Sequence, residues 1–263
     1  DINGNDRAGQ WFVGVKPTKI QGSDIIWARQ MARVNINTQA GPHADNTDFP
    51  RLSYLNRAGA NPYAGKVMTH AEAAVSPNYK KFLIATIENN RIGHFTIYDL
   101  DKINALLGVS GYKAAGYRVN DVIDQLNKPD EYKFEYEDSF TINNLYGNAE
   151  DAVVNSIQGY DLDNDGNIYI SSQKAPDFDG SYHAYHKQIV KIPWNGRSET
   201  KEDQWESVNL SAFGGLDISK KHSEVESIQI LSENHCYLTV AYHSKLDGKN
   251  KTTLNRIYEL SWS

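Results

Sequence analysis

Three stretches of the chain share one spacing. A Glu or Gln stands ten residues ahead of a short apolar run in each: Glu72-Ala73-Ala74 before Phe82-Leu83-Ile84-Ala85, Gln158-Gly159-Tyr160 before Ile168-Tyr169-Ile170-Ser171, and Glu226-Ser227-Ile228 before Cys236-Tyr237-Leu238-Thr239. No gap is needed to superpose them. A β-unit repeated at long period buries its apolar faces against neighbouring copies, and closing the array removes its exposed edges. The spacing predicts an all-β fold, a β-propeller built from residues 1–263 as a single domain. The copies lie 86 and 68 residues apart. With about 40–50 residues per blade, five blades fit best, and four blades with large insertions are the alternative. On the inner strand of such a ring, Glu72, Gln158 and Glu226 are candidate ligand-binding residues, since side chains from several blades converge there. The alternative is that each hydrogen-bonds neighbouring backbone.

The rest of the chain reads as strands and turns. Residues 10–16 and 25–36 are rich in aromatic and β-branched residues and read as strands, whereas 37–66 is a Gly-, Pro-, Asn- and Asp-rich connection. The clearest unit has strands at His70–Val75, Phe82–Ile87 and Gly93–Leu100, with His94, Thr96 and Tyr98 alternating against Phe95 and Ile97. Residues 101–150 break the pattern. Apolar residues at helical spacing in 101–107 and 120–126, each with Asp or Asn near its start, predict two short helices within 101–130, then a strand at 133–140.

Composition narrows the function classes. A net charge of −6 gives no general attraction to nucleic acid or to anionic membranes. No apolar run reaches the roughly 18–20 residues of a transmembrane helix. The single cysteine, Cys236, excludes an internal disulfide and, between apolar and aromatic neighbours, reads as a buried strand thiol. The polar start, Asp1-Ile2-Asn3-Gly4-Asn5-Asp6, lacks Met and reads as a processed or truncated beginning.

Three local patterns carry possible chemistry. Asp161-Leu162-Asp163-Asn164-Asp165-Gly166 has alternating carboxylates and a turn glycine, the arrangement that suits calcium. Asp161, Asp163 and Asp165 are therefore candidate calcium ligands, although Ser172 stands where an EF-hand places a bidentate Glu; the alternative is a plain strand–strand turn. The loop from Asp177 to His186 mixes aromatics with polar groups, and Tyr182 and His183 are candidate sugar contacts by stacking and hydrogen bonding. His183 and His186 have a zinc-like spacing without further ligands nearby. Nucleophile elbows, phosphate loops and dinucleotide fingerprints are absent, so no catalytic residue is assigned and no cofactor beyond the possible calcium is expected.

Several segments together resemble the helveticin J family of large bacteriocins and bacteriocin-like surface proteins of lactobacilli. They are Glu72–Pro77, Gly93–Tyr98, Ser156–Asp161, Gly166–Gln173, Gln188–Trp194 and Leu238–His243. The resemblance implies a secreted or cell-surface protein of a Gram-positive bacterium that inhibits related bacteria or associates with the envelope, its partner a cell-wall glycan or surface protein. It also implies a longer full-length chain, and it carries over no catalytic residue. Two other functions stay open: a glycoside hydrolase using Glu72 and Glu226 as acid and base, and a structural companion of the surface layer.

Overall fold

The computed structural model describes residues 10–15, 18–19, 26–35, 50–60, 68–108, 116–118, 135–147, 153–174, 186–193, 205–213 and 215–263. The chain divides into two compact units, residues 1–75 with 79–141 and residues 76–78 with 142–263. Both are built from strands, and one α-helix is present among the described residues. No helix among them is long and apolar enough to cross a membrane.

The first unit contains β1 (Gln10–Val15), β2 (Thr18–Lys19), β3 (Ile26–Trp27), β4 (Gln30–Asn35), β5 (Arg51–Ser53), β6 (Met68–Val75), β7 (Lys81–Glu88), β8 (Gly93–Asp99), the helix α1 (Leu100–Leu107), β9 (Gly116–Arg118) and β10 (Asp138–Ile142). β6, β7, β8 and β10 follow one another across an antiparallel sheet, and β1, β4, β5 and β9 form a second sheet in which β5 and β9 run parallel. The stretch read as one strand over 25–36 is two, β3 and β4, separated at Ala28–Arg29. In β8 the expected alternation does not separate a wet face from a dry one: His94, Thr96 and Tyr98 are as buried as Phe95 and Ile97. β8 lies between β7 and β10, so both of its edges are paired, and the burial of alternate residues shows that both of its faces are covered.

The first predicted helix is α1. Leu100, Ile103 and Leu107 lie on one face and join Leu52, Phe82 and Ile84 in the unit's core. Its start is fixed by Asp99, whose carboxylate accepts a hydrogen bond from the Lys102 amide at 3.0 Å. Such a cap satisfies an amide that the helix cannot, so Asp99→Ala is expected to cost about 1 kcal/mol, read as a lower urea midpoint, and Asp99→Ser to recover most of it. The predicted helix at 120–126 lies outside the described residues.

The second unit contains β11 (Gly159–Leu162), β12 (Ile168–Ser172), β13 (Gln188–Ile192), β14 (Glu206–Asn209), β15 (His222–Ser232), β16 (His235–Leu246) and β17 (Lys249–Ser261). β11 to β14 form one antiparallel meander and β15 to β17 another. Their shared core includes Tyr169, Ile189, Val225, Ile230, Leu238 and Tyr242. The free edge of β15 is occupied by side chains of the neighbouring meander. Asp161 accepts from the Ile230 amide at 2.6 Å, Gln173 accepts from the Val225 amide at 2.8 Å and donates to the Ser223 carbonyl at 2.6 Å, and the Ser171 hydroxyl donates to the Glu226 carbonyl at 2.7 Å. These bonds satisfy edge groups that would otherwise template association. They require close approach, which Gly159 permits: a Cβ there would lie 3.1 Å from Ser227 Cα.

The three repeat copies are all hairpins, and each turn holds one residue with positive φ: Tyr79, Gly166 and Asn234. The equal spacing conceals a difference in register. Val75 pairs with Phe82, whereas Leu162 pairs with Ile168 and Ile230 with Cys236. The first turn is one residue longer, and the three polar residues differ in setting: Glu72 pairs regularly with Ala85, Gln158 stands just ahead of β11, and Glu226 lies within the register shift of β15.

Candidate functional site

In the second unit, Glu224, Glu226 and His243 bring their ligand atoms within 4.8 Å of one another. The strands explain how. Glu224 and Glu226 lie two apart on β15 and share a face, while Val225 points into the core. A register shift between Val225 and Ile228 inserts an extra residue, so Ile228 and Ile230 return to the core face and the two carboxylates remain opposite it. On β16, Ala241 pairs with Glu224 and His243 with His222, which places the imidazole on the diagonal from Glu224 beside a small residue.

The cluster is held from outside. Gln158, just ahead of β11, donates to Glu224 Oε1 at 3.0 Å and to the Gln173 carbonyl at 2.9 Å. His243 Nε2 lies 3.0 Å from Glu224 Oε2, and its Nδ1 is 3.2 Å from the Thr252 hydroxyl. Burial raises Glu224 above the ordinary carboxyl value, only partly offset by the Gln158 bond. Burial also raises Glu226, and the neighbouring Glu224 charge raises it further. His243 is lowered by burial against the pull of Glu226, which favours a neutral ring with an available lone pair. The arrangement can bind cations, accept hydrogen bonds from hydroxyls, and hold a proton on a carboxyl more readily than an ordinary glutamate does.

The residues singled out by sequence fall as follows. Gln158 and Glu226 both belong to this site, joined through Glu224. Glu72 belongs to the first unit, where its Oε1 lies 2.6 Å from His70 Nε2. Tyr182 and His183 lie outside the described residues. Asp161, Asp163 and Asp165 do share one hairpin, but the buried carboxylates are already engaged. Asp163 accepts from the Asp165 and Asn167 amides at 3.0 Å each, from the Asn167 side chain at 2.7 Å and from the Tyr169 hydroxyl at 2.9 Å. Asp161 accepts from Leu162 and Ile230. Cys236 is buried, and burial followed by the Asp161 charge pushes its thiol up to about 12. Glu224 and the role of His243 were missed. The available signal was the alternation His222-x-Glu224-x-Glu226, which puts three polar groups on one strand face. A further acid–imidazole pair sits in the first unit, where the buried Glu88 lies 3.3 Å from His94.

A chain of two compact β-rich units, one of them displaying a carboxylate–imidazole cluster, defines a class by architecture rather than by reaction. The comparison with known sequences is more specific. The family described as "Bacteriocin helveticin-J" matches residues 2–263. A relative named "Bacteriocin helveticin-J", from Lactobacillus helveticus, is 70% identical over 264 residues, covering 100% of this chain and 75% of the relative. The chain belongs to the helveticin-J family.

Proposed function

We propose that the chain is an exported bacteriocin-like protein that inhibits related bacteria by binding a component of their cell envelope, glycan in class, without breaking a bond in it. The observation that carries this reading is the family match over nearly the whole chain, with a 70% identical relative named as a bacteriocin. The architecture we infer is a β-propeller whose blades are the meandering sheets. Four sheets of three or four strands stand among the described residues, and the spacing of the sequence repeat favours five blades in all. Gln158 and Glu226 would contact the glycan, since clustered acceptors and amides on a rigid strand face suit sugar hydroxyls. Glu72 in the first unit and the Tyr182–His183 loop are further contacts in this reading.

The test uses purified chain, isolated walls of related lactobacilli, and the same walls after periodate treatment. Saturable co-sedimentation that periodate removes, with growth inhibition of the same strains, is the expected result. Gln158→Ala is expected to weaken binding about tenfold, the worth of one hydrogen bond. Binding that survives periodate would replace the glycan by a surface protein as receptor. Release of reducing ends, abolished by Glu226→Gln, would make the chain a glycoside hydrolase instead. Folded protein that binds no wall fraction would overturn envelope binding altogether.

A further inference from the structure

We infer that Glu224, Glu226 and His243 form a binding site for one divalent transition-metal ion of the zinc class. This goes beyond envelope binding and does not rest on it. Two carboxylate oxygens and one imidazole nitrogen are the mixed donor set that borderline cations take, with protein ligands at about 2.0–2.2 Å. Tetrahedral donors at that radius lie about 3.4 Å apart. His243 Nε2 and Glu224 Oε2 are already 3.0 Å apart, and all three donors fall within 4.8 Å. Closing the remaining gap takes a movement of at most about 1.4 Å by a Glu side chain, well within its rotamer freedom.

The surroundings match what metal ligands need. A ligating imidazole is ordinarily fixed through its other nitrogen, and a ligating carboxylate through an outer hydrogen bond. Thr252 lies at His243 Nδ1, leaving Nε2 to face the carboxylates, and Gln158 fixes Glu224 from the adjoining meander. The donors come from two paired strands, and the bulge after Val225 keeps both carboxylates on the same side. The acid–imidazole pair between Glu259 and His235 on β17 and β16, at 2.8 Å, has no such third ligand among the described residues. It serves as an internal control.

The experiment is calorimetric titration of ZnSO4 into tag-free full chain stripped with EDTA. One saturable site per chain is expected. Glu226→Gln and His243→Ala should each weaken affinity at least about tenfold, while Glu259→Gln leaves it unchanged. Glu224→Gln, which keeps the side chain's shape, should weaken it equally and guards against a His243→Ala chain that fails to fold. Circular dichroism of every variant confirms the fold. Lack of saturable zinc binding by the folded chain overturns the site, as does binding that Glu224→Gln and Glu226→Gln together leave intact. Wall binding measured in EDTA separates the two readings: loss of zinc binding with wall binding retained removes this site alone.

Discussion

Asp163→Ala is expected to destabilise the second unit by on the order of 3 to 5 kcal/mol. Asp163 is 1% exposed and accepts four hydrogen bonds, two from backbone amides and two from the side chains of Asn167 and Tyr169. Removing the carboxylate leaves the buried Tyr169 hydroxyl and the Asn167 amide without their acceptor, and each orphaned group costs about 1–3 kcal/mol. The hydroxyl cannot escape by ionising, because burial, the largest cause of its raised value, persists when the Asp163 charge is gone. Two companions divide the effect. Tyr169→Phe removes one donor together with its need and should cost about 1–2 kcal/mol; Asp163→Asn keeps one acceptor and should fall between. Trp262 packs edge-on to Tyr169 with ring centroids 6.1 Å apart, so tryptophan fluorescence in a urea titration reports the transition. Because the bonds are internal to the hairpin, the loss is expected to be the same in EDTA as in calcium. A loss seen only with calcium would make the loop a cation site.

The hairpins were legible in the sequence because their cause is local. Apolar strands separated by Asn-Tyr, Asp-Asn-Asp-Gly or Glu-Asn leave the chain little choice, and each turn takes one left-handed residue. The Asp247-Gly248 turn between β16 and β17, with both φ values positive, follows the same rule. The capped helix after Asp99 was legible for a similar reason. What was not legible depends on pairing between distant segments. A constant spacing of ten could not reveal that the first turn is one residue longer, because spacing does not report which residues face each other across a hairpin. The site has the same limit. Glu226 and Gln158 were singled out, but Glu224, the residue that joins them, does so through a hydrogen bond between two meanders distant in sequence, and His243 reaches it only through the register of β16 on β15. The acidic residues of the calcium-like loop show why sequence alone leaves two readings open: an Asp in a turn accepts backbone amides as readily as it binds a cation, and the two uses share one sequence pattern.

Asp161→Asn is expected to flatten the pH dependence of stability between about pH 4 and pH 7. Burial pushes the Asp161 carboxyl up from its ordinary 3.8 to about 7, partly offset by the Ile230 and Leu162 amides and reinforced by the Asp163 charge. Across that window the folded chain holds a proton that the unfolded chain has released, so stability falls as pH rises. The shift corresponds to on the order of 4 kcal/mol between the two ends. Asparagine resembles the protonated acid in shape and keeps an acceptor for the Ile230 amide. The variant should therefore match the parent at pH 4 and exceed it at pH 8, as measured by urea midpoints. A smaller slope of the same sign should remain from Glu224 and Glu226, whose carboxyls are also raised. Asp217 works the other way: burial would raise it, but its bonds to Ser223 and Lys187 prevail and lower it, so its stabilisation is lost as pH falls. Parallel curves for parent and variant would show that Asp161 stays ionised in the fold, held by the two amides. The closing of the β15 edge would then rest on a charge rather than on a neutral acid.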